Sequence, residues 1–264
     1  MAELIYAFRF PGLLEDDSPE AALLWAYGCS GLLQDGDEIV AYFSERRELP
    51  ISGKWQVVAE EGYLETYYAE LRPVTIGRLV VAPTHCQVRI SAGQKVLWVD
   101  PGMAFGTGHH ETTRLALRAL ESVPLMGRTV LDVGAGSGIL AVAADLLGAG
   151  EAVGVDIDPD TVPIAVDNAL ANCSRARFEF GTIDHKHPAS SVDIVVANLY
   201  AELHVLLADT YHHLLRPGGI LLATGILRDK ISMVREALGS NFSLRRSLCE
   251  GDWVLVQAEK ETLF

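Results

Sequence analysis

Val130-Leu131-Asp132-Val133-Gly134-Ala135-Gly136-Ser137-Gly138-Ile139-Leu140 is the stretch on which the fold turns. Residues of strand character run into a glycine-rich turn, and a helix opens directly behind it. Glycines there permit a tight turn and let the backbone come close to a ligand. One strand further on, Val155-Asp156-Ile157-Asp158 places an acid 22 residues after Gly134. In a doubly wound sheet, an acid at the end of the second strand reaches ribose hydroxyls.

Around this nucleus, apolar runs and helical stretches alternate. Val130–Val133, Ala152–Val155, Arg177–Phe180, Val192–Ala197 and Gly219–Thr224 are strand-like, and the helical stretches lie near 111–121, 138–147, 160–172, 200–215 and 228–238. Near-continuous apolar strands between helices mean a mostly parallel sheet covered on both faces. Phe242–Leu248 and Trp253–Ala258 then read as an antiparallel hairpin, and Arg78–Ala82, Gln87–Ser91 and Lys95–Val99 as strands upstream of the repeat. Glu3–Phe10, a helix from Ser18-Pro19-Glu20 to Tyr27, Asp37–Phe43 and Lys54–Ala59 spell a small α+β module. A helical stretch over 63–71 ends at Arg72-Pro73. The expected organisation is therefore a small α+β domain over 1–62, a linker helix over 63–71, and a doubly wound α/β domain over 72–264.

The chain has 264 residues, with 21 basic and 35 acidic side chains and a net charge of −14. Its 49% hydrophobic and 21% charged shares are those of a globular protein. No run approaches the roughly 18 apolar residues of a membrane span, and the acidic start lacks the basic-then-apolar pattern of a signal peptide. Cys29, Cys86, Cys173 and Cys249 are scattered, which reads as reduced thiols in a cytoplasmic protein and not as a zinc site. Residues 1–70 carry net −10 and residues 71–264 net −4. Such a field repels nucleic acid and acidic membranes and favours a basic partner; solubility alone is the plainer reading.

Two further motifs carry chemistry. In Asp100-Pro101-Gly102-Met103-Ala104-Phe105-Gly106-Thr107-Gly108-His109-His110-Glu111-Thr112-Thr113 a glycine loop feeds a helix whose first turn offers N–H groups and hydroxyls to a carboxylate, with Phe105 as an apolar lid. Adjacent histidines point apart, so no metal is expected, and His109 reads as a loop-binding histidine. At Val195-Val196-Ala197-Asn198-Leu199-Tyr200, Asn198 ends a central strand and faces the ligand crevice, where its carbonyl and the following backbone carbonyl can accept from an amine. An ordinary strand-end asparagine is the alternative there.

The G-x-G-x-G spacing, without the third glycine of nicotinamide-binding loops at Ile139, resembles the first motif of Rossmann-like S-adenosylmethionine-dependent methyltransferases. Together, DPGMAFGTGHHETT, LDVGAGSGILAVAA, VGVDIDP and ANLYAEL resemble the ribosomal protein L-eleven methyltransferase family. The resemblance implies cofactor contacts at Thr113, Gly134, Asp156 and Asn198, with Phe105, His110 and Leu199 nearby and Gly136 in the loop between. It also implies methylation of lysine and N-terminal amines of that ribosomal protein, up to the trimethyl state, with the small domain gripping the substrate. No obvious general base stands in these motifs, so Asn198 is the expected catalytic residue, orienting the amine with the Leu199 backbone. A monomer suffices. The same chemistry on another basic protein or small amine, a non-catalytic cofactor-binding assembly factor, and a dehydrogenase are the other readings.

Overall fold

Neighbouring residues of a strand point to opposite faces, so a strand apolar at every position demands cover on both sides. The computed structural model meets that demand. It describes residues 4–13, 20, 23–24, 27–29, 31–43, 45–59, 71–100, 102, 104–184 and 187–261. These form two units, divided between Leu71 and Arg72.

The first unit is a four-stranded antiparallel sheet. Its strands are β1 (Leu4–Pro11), β2 (Gly31–Asp35), β3 (Glu38–Phe43) and β4 (Lys54–Ala59), in the order β2-β3-β1-β4. Phe8, Phe10, Ile39, Ala41 and Phe43 bury one face together with Leu24 and Cys29, and Trp55 packs against them. The strand β2 is not among the sequence expectations. It joins β3 through a tight hairpin in which Asp35 pairs with Glu38, and its apolar Leu32-Leu33 pair has no alternation to betray it. The helix expected over 18–27 lies largely outside the described residues, and that over 63–71 lies outside them except for Leu71.

The second unit opens with a three-stranded sheet of β5 (Val74–Ile76), β6 (Leu79–Ala82) and β7 (Lys95–Trp98). The strand expected at Gln87–Ser91 is instead an irregular connection with Ile90 exposed: its alternating residues find no neighbouring ladder. A seven-stranded sheet follows. In chain order it comprises α1 (Glu111–Ser122), β8 (Thr129–Val133), α2 (Ile139–Leu146), β9 (Glu151–Asp156), α3 (Thr161–Ala171), β10 (Arg177–Phe180), β11 (Val192–Asn198), α4 (Ala201–Leu214), β12 (Leu215–Leu227), α5 (Ile231–Leu238), β13 (Phe242–Glu250) and β14 (Trp253–Lys260). The strand order is β10-β9-β8-β11-β12-β14-β13, with the first five parallel and β14 antiparallel to both its neighbours, so that β13 runs in the common direction.

The alternation is complete. Val130, Ile194, Val196, Leu222 and Leu255 pack on one face with α1, α2 and Ala169 of α3. Leu131, Val195, Ala197, Leu221 and Val256 pack on the other, with α4 and α5. Among the described residues no helix is long and apolar enough to cross a membrane.

Candidate active site

After β8 the chain passes to α2 on one face; after the adjacent β11 it passes to α4 on the other. The two exits leave a crevice beyond the carboxyl ends of β8 and β11, the usual ligand position in such sheets. Val133 pairs with Ala197, so Gly134 and Asn198 are the next residues in register at its mouth.

The glycine loop is shaped by what surrounds it. Gly134, Gly136 and Gly138 have φ of 73°, 50° and 78°, in the left-handed region that disfavours other residues. A Cβ on Gly134 would lie 2.6 Å from the Leu199 side chain, and one on Gly136 would lie 2.6 Å from the Phe105 carbonyl oxygen. The Gly134 and Ala135 N–H groups donate to the Val155 carbonyl (2.9 and 3.1 Å), and the Gly136 N–H donates to Asp156 Oδ2 (2.7 Å). The other carboxylate oxygen of Asp156 accepts from the Asp158 N–H (3.0 Å). This carboxylate borders a shallow depression lined by Ala135, Gly136, Gly154, Thr161 and Phe178.

Beneath the loop lies Asp132, fully buried. Its Oδ2 accepts from the Ala141 N–H (3.1 Å) in the first turn of α2, whose cap residue Gly138 has no side chain to do so. Burial pushes this carboxyl up to about 7; the Ala141 N–H opposes the shift and the Asp156 charge adds to it.

The upstream loop is tied to the glycine turn. Ser137 N–H donates to the Phe105 carbonyl (2.9 Å) and Ser137 Oγ–H to the Gly106 carbonyl (2.7 Å). Asn168 of α3 bridges both segments, donating to the Ser137 and Asp100 carbonyls (2.9 and 3.2 Å) and accepting from the Asp100 N–H (2.8 Å). His110 caps α1, its Nδ1 accepting from the Thr112 N–H (3.3 Å), while its ring meets the edges of Phe105 and Trp253 at 5.4 and 5.2 Å. Thr113 is buried, and its hydroxyl has no hydrogen-bond partner among the described residues. His109 bonds to the Thr107 and Arg72 carbonyls and so serves the loop.

At the other lip, Asn198 pairs in register with Thr224, and the Leu199 N–H donates to the Thr224 carbonyl (3.0 Å). Gly225, at φ 85°, lets this turn lie flat: a Cβ there would meet the Leu199 carbonyl at 2.4 Å and Asn198 Oδ1 at 3.0 Å. Behind the turn, His204 is completely buried, and burial pushes its imidazole down to about 4 against the pull of the Thr224 and Leu199 carbonyls.

The family model described as ribosomal protein L11 methyltransferase matches residues 23–261 of this chain. The chain belongs to that family. A ribosomal protein L11 methyltransferase of Deinococcus radiodurans is 45% identical over 96% of this chain and 98% of its own length. One of Thermus thermophilus is 44% identical over the same shares. Among solved structures, the ribosomal protein L11 methylase of Lactobacillus delbrueckii subsp. bulgaricus has 27% identity and a TM-score of 0.67, covering 73% of this chain and 100% of that one. A putative methyltransferase complexed with SAH shares the fold, at 13% identity and a TM-score of 0.50 over 58% of this chain and 50% of that one.

The structure brings Phe105, His110, Thr113, Gly134, Gly136, Asp156, Asn198 and Leu199 to one edge of the sheet in this family member. Sequence reading overlooked Asn168, Trp253, Gly225 and His204. Asn168 and Asn172 stand one helical turn apart, Asn172 bonding to Trp98 at the end of β7 and Asn168 to Asp100 just beyond it, a spacing that could have marked them. Trp253 lies on the returning hairpin and carries no local signal.

Proposed function

We propose that this chain transfers methyl groups from S-adenosylmethionine to amines of ribosomal protein L11, at lysine side chains and the N-terminal amino group, up to the trimethyl state. The observation that carries the substrate protein is the 45% identity, over 96% of this chain, to a protein named ribosomal protein L11 methyltransferase; the choice of amines rests on the neutral Asn198 and Leu199 acceptors at the crevice. The crevice suits the donor. Glycine at 134 and 136 lets the loop lie against the Leu199 side chain and the Phe105 carbonyl at the crevice mouth, Asp156 offers carboxylate lone pairs to ribose hydroxyls, and the Thr113 hydroxyl, without a partner among the described residues, suits the donor's carboxylate. Phe105 and His110 cover it. When bound there, S-adenosylmethionine supplies a methyl on a cationic sulfur.

An amine accepts a methyl through its lone pair, so a lysine must first lose its proton. With an ordinary pKa of 10.4, only about one in a thousand is neutral near pH 7.4, a handicap of about 4 kcal/mol. Burial beside a positive charge lowers that pKa. Asn198 Oδ1 and the Leu199 carbonyl orient the amine, and solvent takes the proton, so proximity supplies most of the acceleration. The small acidic domain, residues 1–62, grips the basic substrate before residues 72–264 act on it, in the cytoplasm where ribosomal proteins assemble.

The test is methyl-labelled S-adenosylmethionine with hypomethylated large-subunit ribosomal proteins, resolved by gel and mass spectrometry. Label on L11 amines is expected. Label only on another protein overturns the substrate, and tight donor binding without label on any acceptor overturns the transferase reading.

A further inference from the structure

The turn that carries Asn198 and Leu199 is held from behind by a buried chain of polar groups that the reaction itself does not use. The Thr224 carbonyl accepts twice, from the Leu199 N–H at 3.0 Å and from His204 Nε2 at 2.8 Å. A carbonyl can only accept, so His204 carries its proton on Nε2. Its Nδ1 is then an acceptor, and the Tyr211 hydroxyl stands 3.3 Å away to donate. His204 and Tyr211 are seven residues apart on α4, two turns along one buried face, so one helix sets both. Both are enclosed, at 1% and 0% exposure. The Thr224 hydroxyl is buried without a partner among the described residues, so it makes no bond that could substitute for the carbonyl's. Gly225 presses the same turn from the next position, with room for no side chain under the Leu199 carbonyl.

We propose that His204, held in its Nε2–H tautomer by Tyr211, is a positioning residue for methyl transfer: it pins the Thr224 carbonyl that anchors the Leu199 peptide, and thereby aims Asn198 Oδ1 and the Leu199 carbonyl at the acceptor amine. The inference rests on the reading of Asn198 and Leu199 as the amine-orienting pair. A turn tethered only by the Leu199 N–H still closes the crevice, but it rocks about one hydrogen bond instead of a shared acceptor, and misalignment of about 1 Å is enough to slow a proximity-driven step by two orders of magnitude.

The experiment compares the full-length wild type with His204→Phe, His204→Gln, Tyr211→Phe and Asn198→Ala, measuring kcat and KM for labelling of L11 and the S-adenosylmethionine Kd by calorimetry. His204→Phe is expected to lower kcat about ten- to a hundredfold with donor Kd within about threefold of wild type. His204→Gln, whose amide N–H reaches the same carbonyl, restores kcat to within about threefold of wild type, and Tyr211→Phe lowers it about three- to tenfold. Wild-type kcat in His204→Phe beside a crippled Asn198→Ala overturns this inference alone. Full turnover in Asn198→Ala overturns the amine-orienting reading and this inference with it. Equal losses of kcat and donor affinity that glutamine does not restore assign His204 a purely structural role and also overturn it. A nitrogen-15 spectrum of the wild type at pH 7 needs no variant: the Nε2–H form is expected for His204, and the Nδ1–H form overturns the proposal even if every variant fails to fold.

Discussion

Asp132 sits under the glycine turn with one oxygen bonded to α2 and the other without a partner among the described residues. Its folded carboxyl holds a proton up to about 7, whereas an unfolded one releases it near 3.9. Between those values the native state binds more protons than the unfolded state, so rising pH erodes stability through this window and no further above it. Asp132→Asn keeps an acceptor for the Ala141 N–H and cannot ionise. Urea unfolding of both proteins from pH 4.5 to 8.5 is therefore expected to show the stability difference moving against the wild type up to about pH 7, then levelling. A difference independent of pH would show Asp132 already ionised throughout. Its place in the strand just before the glycine turn was plain in sequence. Its state was not, because burial is a property of the whole sheet.

At the scale of elements, the glycine loop and the upstream loop form one object, joined by the two Ser137 bonds to Phe105 and Gly106. Gly136→Ala drives a Cβ into the Phe105 carbonyl at 2.6 Å and strains a backbone at φ 50°. The loops must part, at a strain of about 1–2 kcal/mol for the backbone alone. Calorimetry should find S-adenosylmethionine affinity reduced about tenfold or more, equivalent to about 1.4 kcal/mol; an unchanged Kd would show that the loops are not coupled through this contact. The central strands were readable because both faces are covered, so they run nearly continuously apolar. Gln87–Ser91 misled because alternation signals a strand only where a ladder exists to join. Gly31–Asp35 escaped because its pairing with β3 is set by the hairpin between them and not by its own pattern.

For the molecule as a whole, charge distribution is the lever. Net −10 over residues 1–70 attracts a basic substrate at a distance that salt screens, with a Debye length of about 10 Å at 0.1 M. Raising the salt from 50 to 300 mM is expected to raise KM for L11 several-fold, by about three to ten times, while kcat changes by less than about twofold. A KM insensitive to salt would leave the acidic residues with solubility as their task.

Sequence alone determined the doubly wound sheet, its glycine loop, the acid after it and the asparagine at the central strand end. Each is written in local chemistry: a period of two, a positive φ, a residue type at a strand terminus. Tertiary structure decided which groups meet. Trp253 reaches His110 from a hairpin more than a hundred residues away, Asn168 stitches two loops, and His204 meets Thr224 only because β11 and β12 pair in one register. Contacts between distant segments depend on sheet order and on which face each helix covers, and no local stretch of chain encodes either.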